Sequence, residues 1–471
     1  MRRLLIAATC SAALAGLTVT AVASPAKPAP PAFGKPVLLT VDKFAGGYEP
    51  SITVDRFNNV FVTAHKQNHT LVASPDSRST LGLRSQSWLW TSKDGKTFTD
   101  PPGKTPLQEQ SYEFGDEGDL AADDTGHIYF VDTNVTDNSF SRYKATGNGQ
   151  LALETTRPVG PFGEPLDDRP WIAAHGDGVV LYAGNQGDKA TYPAGARGDG
   201  SAYGPGRYTV YMSYDHGDTF DPLGITLADS GWCRPGADHR KGSKDLYVLC
   251  TNDGGANDVQ QNAGDKGFEV GTLWAYSSHD DGRTWRRSKM GTYDAAHEGN
   301  STYPSLSVGK DGTIYALYNA SRTVHSQILP GGVPDPATGI DDPVDSHLRL
   351  YTSKDKGRTW SMRDVTPRKG MIRYTWLDVA PDGTVGIAYY YRPTAKDDWY
   401  VYAATAKPGQ PFLAGKVSTT KIASKDYGSA FGDFFQIAFG PDSKLNVAWT
   451  VQNTDLVAEG LNTDIYYAKQ K

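Results

Sequence analysis

Short apolar runs recur along the chain in pairs, each pair divided by a Gly, Asn or Asp turn. Seven such pairs stand out: Pro50–Asp55 with Val60–Ala64, Asp119–Asp123 with His127–Val131, Pro170–Ala174 with Val179–Ala183, Arg234–Asp238 with Leu246–Cys250, Pro304–Val308 with Thr313–Leu317, Thr375–Val379 with Thr384–Ala388, and Phe435–Phe439 with Leu445–Trp449. Runs of four to six residues rich in Val, Ile, Tyr and Trp, bounded by turn residues, read as strands of antiparallel hairpins. The six steps from Ile52 to Ile437 average about 64 residues, which marks a repeat architecture. A third strand and its turn to a fourth follow most pairs, as in Thr209–Met212 and Thr272–Tyr276. Each unit is therefore one four-stranded blade, and seven units predict an all-β, seven-bladed β-propeller. Pro36–Val41 lies before the first inner strand, and Thr463–Ala468 ends the chain as a third strand with no fourth. An opening strand that completes the last blade would close the ring and hide two sheet edges.

The turns between third and fourth strands carry a pattern of their own. Ser213-Tyr-Asp215-His-Gly217-Asp-Thr219-Phe220, Ser278-His-Asp280-Asp-Gly282-Arg-Thr284-Trp285 and Ser353-Lys-Asp355-Lys-Gly357-Arg-Thr359-Trp360 fit S-x-D-x-G-x-T-[FW]; Ser92-Lys-Asp94-Gly95-Lys-Thr97-Phe98 is one residue shorter. Asp accepts backbone N–H groups a few residues on, and Gly supplies a left-handed φ. These carboxylates read as turn devices and not as catalysts. The segments resemble the Asp boxes of the sialidase-like propeller superfamily. The resemblance implies a six-bladed alternative to the seven blades counted here.

Outside the repeat, Arg2 and Arg3, an apolar stretch to about Val22 and the small-residue site Ala21-Val22-Ala23 read as an export signal over 1–23. A Pro/Ala-rich leader spans 24–35, and 36–471 is expected to be a single propeller domain. Signal removal moves the formal charge from −6 to about −8, which argues against nucleic acid or an anionic membrane as partner. The mature chain is expected to be secreted, extracellular and monomeric. It keeps Cys233 and Cys250, placed symmetrically about Lys241-Gly242, and a disulfide across that hairpin is the expectation.

Propeller ligands occupy the mouth where inner strands begin. The polar residues there are Tyr48 and Glu49; Asp116, Glu117 and Asp119; Asp167, Asp168 and Arg169; Arg234; Tyr303; Arg373 and Tyr374; and Asp433. That set suits an acidic sugar, since Arg binds carboxylates bidentately. The resemblance to sialidases implies a glycosidase with Arg169, Arg234 and Arg373 as the clamp, and Glu49 and Asp433 completing substrate binding. It implies Tyr303 or Tyr374 as nucleophile, Glu117 or Glu49 as its proton acceptor, and Asp119 or Asp168 as the acid. Where sialidases carry Arg-Ile-Pro, this chain reads Tyr48-Glu49-Pro50-Ser51. Two alternatives stay open: a lyase on uronate-containing glycans using His65, Tyr129 and Arg169, and a propeller that binds glycan or protein without catalysis. His65 and His69 lie on a strand and loop, which does not suit a helical metal motif. No cofactor is expected; acidic loops at Asp116–Asp119, Asp123-Asp124 and Asp341-Asp342 offer oxygen ligands to a structural calcium ion. Long inserts near 186–207 and 323–346 exceed ordinary loop lengths.

Overall fold

The computed structural model describes residues 29–41, 45–68, 87–99, 117–133, 138–147, 151–159, 168–185, 208–227, 233–251, 271–293, 303–324, 328–329, 333–334, 342–423, 434–452 and 463–471. Within them every named element is a strand. Seven antiparallel blades form a propeller. Their inner strands are Ala45–Val54, Glu117–Ala122, Asp168–His175, Cys233–Ala237, Ser305–Val308, Met371–Val379 and Ile437–Phe439. Each inner strand packs against the next, and the seventh packs against the first, so the ring closes. Blade 1 has three full strands, with one bridge between Thr91 and Thr99 standing for a fourth.

Closure follows the expected route. Val37–Leu38 pairs with the terminal strand Thr463–Lys469, which pairs with Leu445–Gln452 and so with the inner strand of blade 7. Outside that pairing, Gly34 N donates to Lys469 O at 2.9 Å and Lys471 N to Ala32 O at 2.9 Å. The opening strand thus covers the outer edge of the terminal strand, which is how a ring of sheets limits edge-to-edge association.

Burial explains why some strands read as continuous apolar runs. Leu246–Thr251 and Ile314–Asn319 are second strands, and all six residues of each are buried. Tyr208–Ser213, a third strand, is buried throughout as well. Neighbouring blades cover both faces of these strands, so polar alternation has no solvent face to serve. The outer strand Arg286–Thr292 lies on the rim and is largely exposed or half-buried.

The S-x-D-x-G-x-T-[FW] turns close by local hydrogen bonds. In blade 3, Gly217 N donates to Ser213 Oγ at 2.8 Å, Thr219 N to Asp215 Oδ1 at 2.8 Å, and Thr219 Oγ1 to Asp215 Oδ2 at 2.7 Å. Blades 4 and 5 repeat the set around Asp280 and Asp355. The short turn of blade 1 does the same job with Lys96 N and Thr97 N on Asp94 Oδ1. In the full turns two consecutive residues are left-handed, His216 and Gly217 at φ 60° and 81° in blade 3. The glycine has a second duty: a Cβ at Gly217 would run into the Phe140 ring of blade 2, and one at Gly282 into Met212 of blade 3. Cys233 and Cys250 face each other in register and are joined as a disulfide with Cα atoms 4.1 Å apart.

Candidate functional site

The central axis has two ends of different character. At the turn side, where inner strands finish, the hairpins repeat one backbone device: Asp55 N to Asn59 O, Asp123 N to His127 O, Asp238 N to Asp245 O, Gly309 N to Thr313 O, Ala380 N to Thr384 O and Gly440 N to Lys444 O. A cavity of about 740 Å³ opens there, lined among others by Arg56, Asp124, Asp238, His239, Lys310 and Asp378. Asp378 accepts from Ser307 Oγ at 2.8 Å, Val379 N at 2.7 Å and Phe439 N at 2.6 Å. Burial nonetheless holds its carboxyl above the ordinary value.

Toward the mouth, a girdle of side chains ties the inner strands together. The carboxylate of Asp119, fully buried, accepts Arg234 Nη1 at 2.6 Å and Nη2 at 3.1 Å, Gln436 Nε2 at 2.8 Å and Ile172 N at 3.0 Å. Gln436 Nε2 also donates to Ser51 Oγ at 2.6 Å, and Leu377 N donates to Ser305 Oγ at 3.0 Å. The Arg234 guanidinium lies 4.3 Å from the Trp171 ring centroid and 4.8 Å from that of Trp376. Asp119 and Arg234, read from the sequence as acid and clamp, are thus brought together as each other's partner. Both carboxylate oxygens are engaged by the guanidinium.

Above the girdle, three inner strands break register; in blade 3 the shift falls between Ala183 and Asn185 of the second strand, which pair with Trp171 and Asp168. In blade 1 the pairing shifts between Tyr48 and Ser51, and Glu49 takes φ 51°; in blade 6 it shifts between Arg373 and Thr375, and Tyr374 takes φ 38°. Left-handed conformations at non-glycine residues cost about 1–3 kcal/mol each and cluster at functional sites, as bulges do. The bulges aim buried side chains. Glu49 Oε2 stands 3.0 Å from His65 Nε2, and the Tyr48 ring lies 4.1 Å from the imidazole. Across the hub, Tyr374 meets Tyr390 edge-on at 5.8 Å, and Tyr390 stacks on Phe435 at 4.6 Å. Burial first, and then the charges of Tyr374 and Glu49, raise the Tyr390 hydroxyl above its ordinary range.

Tyr303 packs edge-on against Trp171 at 5.0 Å and against Phe434 at 6.0 Å. Arg373 and Arg392 both lie over the Trp399 ring, at 5.7 and 4.5 Å from its centroid. Glu117, Asp168 and Arg169 sit at the mouth ends of the inner strands of blades 2 and 3. Asp433, Asp116, Asp167, His69 and Asp341 fall outside the described residues, as does most of both long inserts. Tyr129 does not join His65: its hydroxyl donates to Asp123 Oδ2 at 2.9 Å, at the turn side. The sequence reading missed Tyr390, Arg392 and Trp399. The run Tyr389-Tyr390-Tyr391-Arg392, which ends the second strand of blade 6, was the available signal for the first two.

No protein-family model matches the chain, and no curated protein matches it in sequence. Among solved structures it is similar to a Dyadobacter fermentans protein of unknown function, 14% identical, with a TM-score of 0.50 over 93% of this chain and 98% of that one. An ulvan lyase bound to a GlcA-(1-4)-Rha3S unit matches at 12% identity and a TM-score of 0.47, over 93% and 94%. A Penicillium chrysogenum α-L-arabinanase complexed with arabinobiose matches at 12% and 0.43, over 94% and 99%. Likeness at these identities concerns the fold: the chain is a seven-bladed β-propeller.

Proposed function

We propose that the chain is an exported, monomeric, glycan-active propeller that cleaves an acidic sugar at the mouth. The carrying observation is the pair of strained bulges at Glu49 and Tyr374, which set Glu49 against His65 and Tyr374 against Tyr390. In the glycosidase reading, the Tyr374 oxygen attacks the anomeric carbon while its proton passes to Glu49. The bond to the leaving oxygen breaks, and a carboxylic acid supplies that oxygen with a proton. Asp168, at the mouth end of blade 3, is the acid candidate left once Asp119 is held by Arg234. Arg373 and Arg169 are the clamp for the substrate carboxylate.

A second reading rests on the Glu49–His65 contact of 3.0 Å. A carboxylate that fixes an imidazole equips it to take the proton beside a uronate carboxylate, which is lyase chemistry. The test is a panel of aryl glycosides, an aryl sialoside included, run beside ultraviolet detection of unsaturated uronate from acidic polysaccharides. Chromophore release that falls by about 10²–10⁴ in Glu49→Gln and is abolished in Tyr374→Phe supports the hydrolase. Ultraviolet product lost in His65→Gln supports the lyase. Turnover of neither class leaves a non-catalytic glycan-binding propeller.

A further inference from the structure

A cluster at the turn side lies away from the mouth and has no part in the chemistry proposed there. It sits between blades 2 and 3. Asp123 follows the inner strand of blade 2, His127 opens the second strand, and Tyr129 lies two residues on, on the same face. His216 comes from the third-to-fourth-strand turn of blade 3. Ligand atoms of Asp123, His127 and His216 all lie within 4.8 Å of one another.

The two oxygens of Asp123 have separate tasks. Oδ1 accepts the backbone N–H groups of Thr125 at 2.8 Å, Gly126 at 2.8 Å and His127 at 2.9 Å, which fixes the carboxylate. Oδ2 is turned into the cluster. It lies 3.0 Å from His127 Nδ1, 3.6 Å from His216 Nδ1, 2.9 Å from the Tyr129 hydroxyl and 3.1 Å from Thr125 Oγ1. The Tyr129 hydroxyl is also 3.1 Å from His216 Nδ1, and Thr125 Oγ1 is 3.0 Å from His127 Nδ1. Bonds of about 2.0–2.1 Å to a tetrahedral ion separate its ligands by roughly 3.3 Å. The observed 3.0 and 3.6 Å bracket that spacing.

The outer nitrogens face charged side chains. His127 Nε2 lies 3.6 Å from Glu154 Oε2 and 3.2 Å from Lys144 Nζ, and His216 Nε2 lies 3.4 Å from Asp177 Oδ1. Asp177 behind His216 is the usual carboxylate support of a metal-bound histidine. At His127 the Lys144 ammonium can only donate, so Nε2 accepts from it and Nδ1 carries the hydrogen; an ion at Nδ1 moves that hydrogen to Nε2, where Glu154 takes the place of Lys144 as its partner. The His216 ring is held from outside the cluster. Its backbone N donates to Gly178 O at 3.0 Å, its carbonyl accepts Arg142 Nη1 at 2.9 Å, and the ring closes over Gly178. The Asp123 side chain is fully buried while those of His127 and His216 are 13% and 29% exposed, so a fourth position opens toward solvent.

We infer that Asp123 Oδ2, His127 Nδ1 and His216 Nδ1 form a binding site for a zinc-class divalent ion that fastens blade 3 to blade 2, with Tyr129 donating to the ligating carboxylate. Two imidazoles and one carboxylate favour zinc and its first-row neighbours over calcium or magnesium, which prefer all-oxygen shells. Asp123 belongs to one of the acidic loops read from sequence as a calcium candidate, and the histidines around it change the ion it suits.

The test uses the full chain stripped with chelator and titrated calorimetrically with zinc chloride, with cobalt(II) as a spectroscopic probe. One zinc per chain at micromolar affinity or tighter is expected, with a rise in Tm and a four-coordinate cobalt spectrum. Calcium at equal concentration should do neither. His216→Asn preserves a residue that tolerates the left-handed turn, and His127→Gln offers a second variant should the first unfold. Each should weaken zinc binding at least tenfold and abolish the Tm rise. Tyr129→Phe, which keeps all three ligands, should retain the ion. A chain that takes no zinc, or takes it equally after both histidine substitutions, overturns the assignment. Glycan cleavage at the mouth is a separate readout, unaffected by the outcome.

Discussion

The two ends of the propeller axis use polar residues in opposite ways. At the turn side, the carboxylates that close the hairpins find their partners within a few residues: Asp55 takes Phe57 N and Asn59 N, Asp215 takes Thr219, and Asp311 takes Thr313, while Asp378 is an exception that reaches Ser307 and Phe439. At the mouth and girdle, partners come from other blades: Asp119 with Arg234 across 115 positions, and Gln436 with Ser51 across 385. Local pairing makes each hairpin fold by itself and repeats with the blade. Long-range pairing carries no information until the ring is closed, so it can differ from blade to blade. Variation of that kind is what a site needs, and the left-handed Glu49 and Tyr374 occur on the irregular side.

The sharpest break of this contrast is Arg234→Met. It leaves the Asp119 carboxylate buried with its cation gone and should lower unfolding free energy by about 3–5 kcal/mol in a denaturant titration. Replacing both partners, as Asp119→Leu with Arg234→Met, should recover most of that loss, because an apolar pair carries no desolvation penalty. A double variant as unstable as the single one would show that the girdle depends on Gln436 and Ile172 and not on the ion pair.

A smaller effect is expected on the turn side from Gly217→Ala. The substitution meets two obstacles at once, a φ of 81° and the Phe140 ring of the preceding blade. Overpacking of this sort costs about 1–3 kcal/mol. Gly242→Ala, with φ 76° and nothing within 4 Å, isolates the conformational part. Equal losses from the two would mean that the turn glycines answer to backbone geometry alone, and that the turn side is as local as its hydrogen bonds suggest.

The same division governs what the sequence disclosed. Blade number, ring closure, the four hairpin turns and the Cys233–Cys250 pairing all depend on contacts between neighbours in the chain or on a repeat of period near 64, and they were legible. The Asp119–Arg234 pair was not. Both residues were picked out as mouth groups, but nothing in either segment says that one is the other's partner. Glu49 and Tyr374 were also picked out, while the bulges that aim them arise from register shifts that no composition records. The cluster of Asp123, His127 and His216 was hidden for a further reason: His216 occupies a variable position of a structural turn, where Lys356 and Asp281 stand in other blades, so the motif that revealed the fold drew attention away from the side chain inside it.

The smallest expected effect concerns acid. In blade 5 the Thr359 hydroxyl and amide hold the Asp355 carboxyl at about 2, below its ordinary value. In blade 4 burial opposes the shift, yet Thr284, Ser278 and Arg283 bring Asp280 to about 2 as well. A carboxyl whose folded value lies below its unfolded value stabilises the fold above the unfolded value, and the contribution disappears as pH falls through the folded one. The loss should therefore fall between about pH 4 and pH 2, and solvent screening keeps it modest for groups this exposed. Melting curves of the wild type and of Asp280→Asn with Asp355→Asn, taken at steps from pH 5 to pH 2, separate this term from the rest. The double variant should start with a lower Tm at pH 5 and lose less on acidification, so that the two curves converge near pH 2. Parallel curves would mean that the turns hold without their charge, and that local pairing at the turn side stabilises through backbone shape and the left-handed glycine instead.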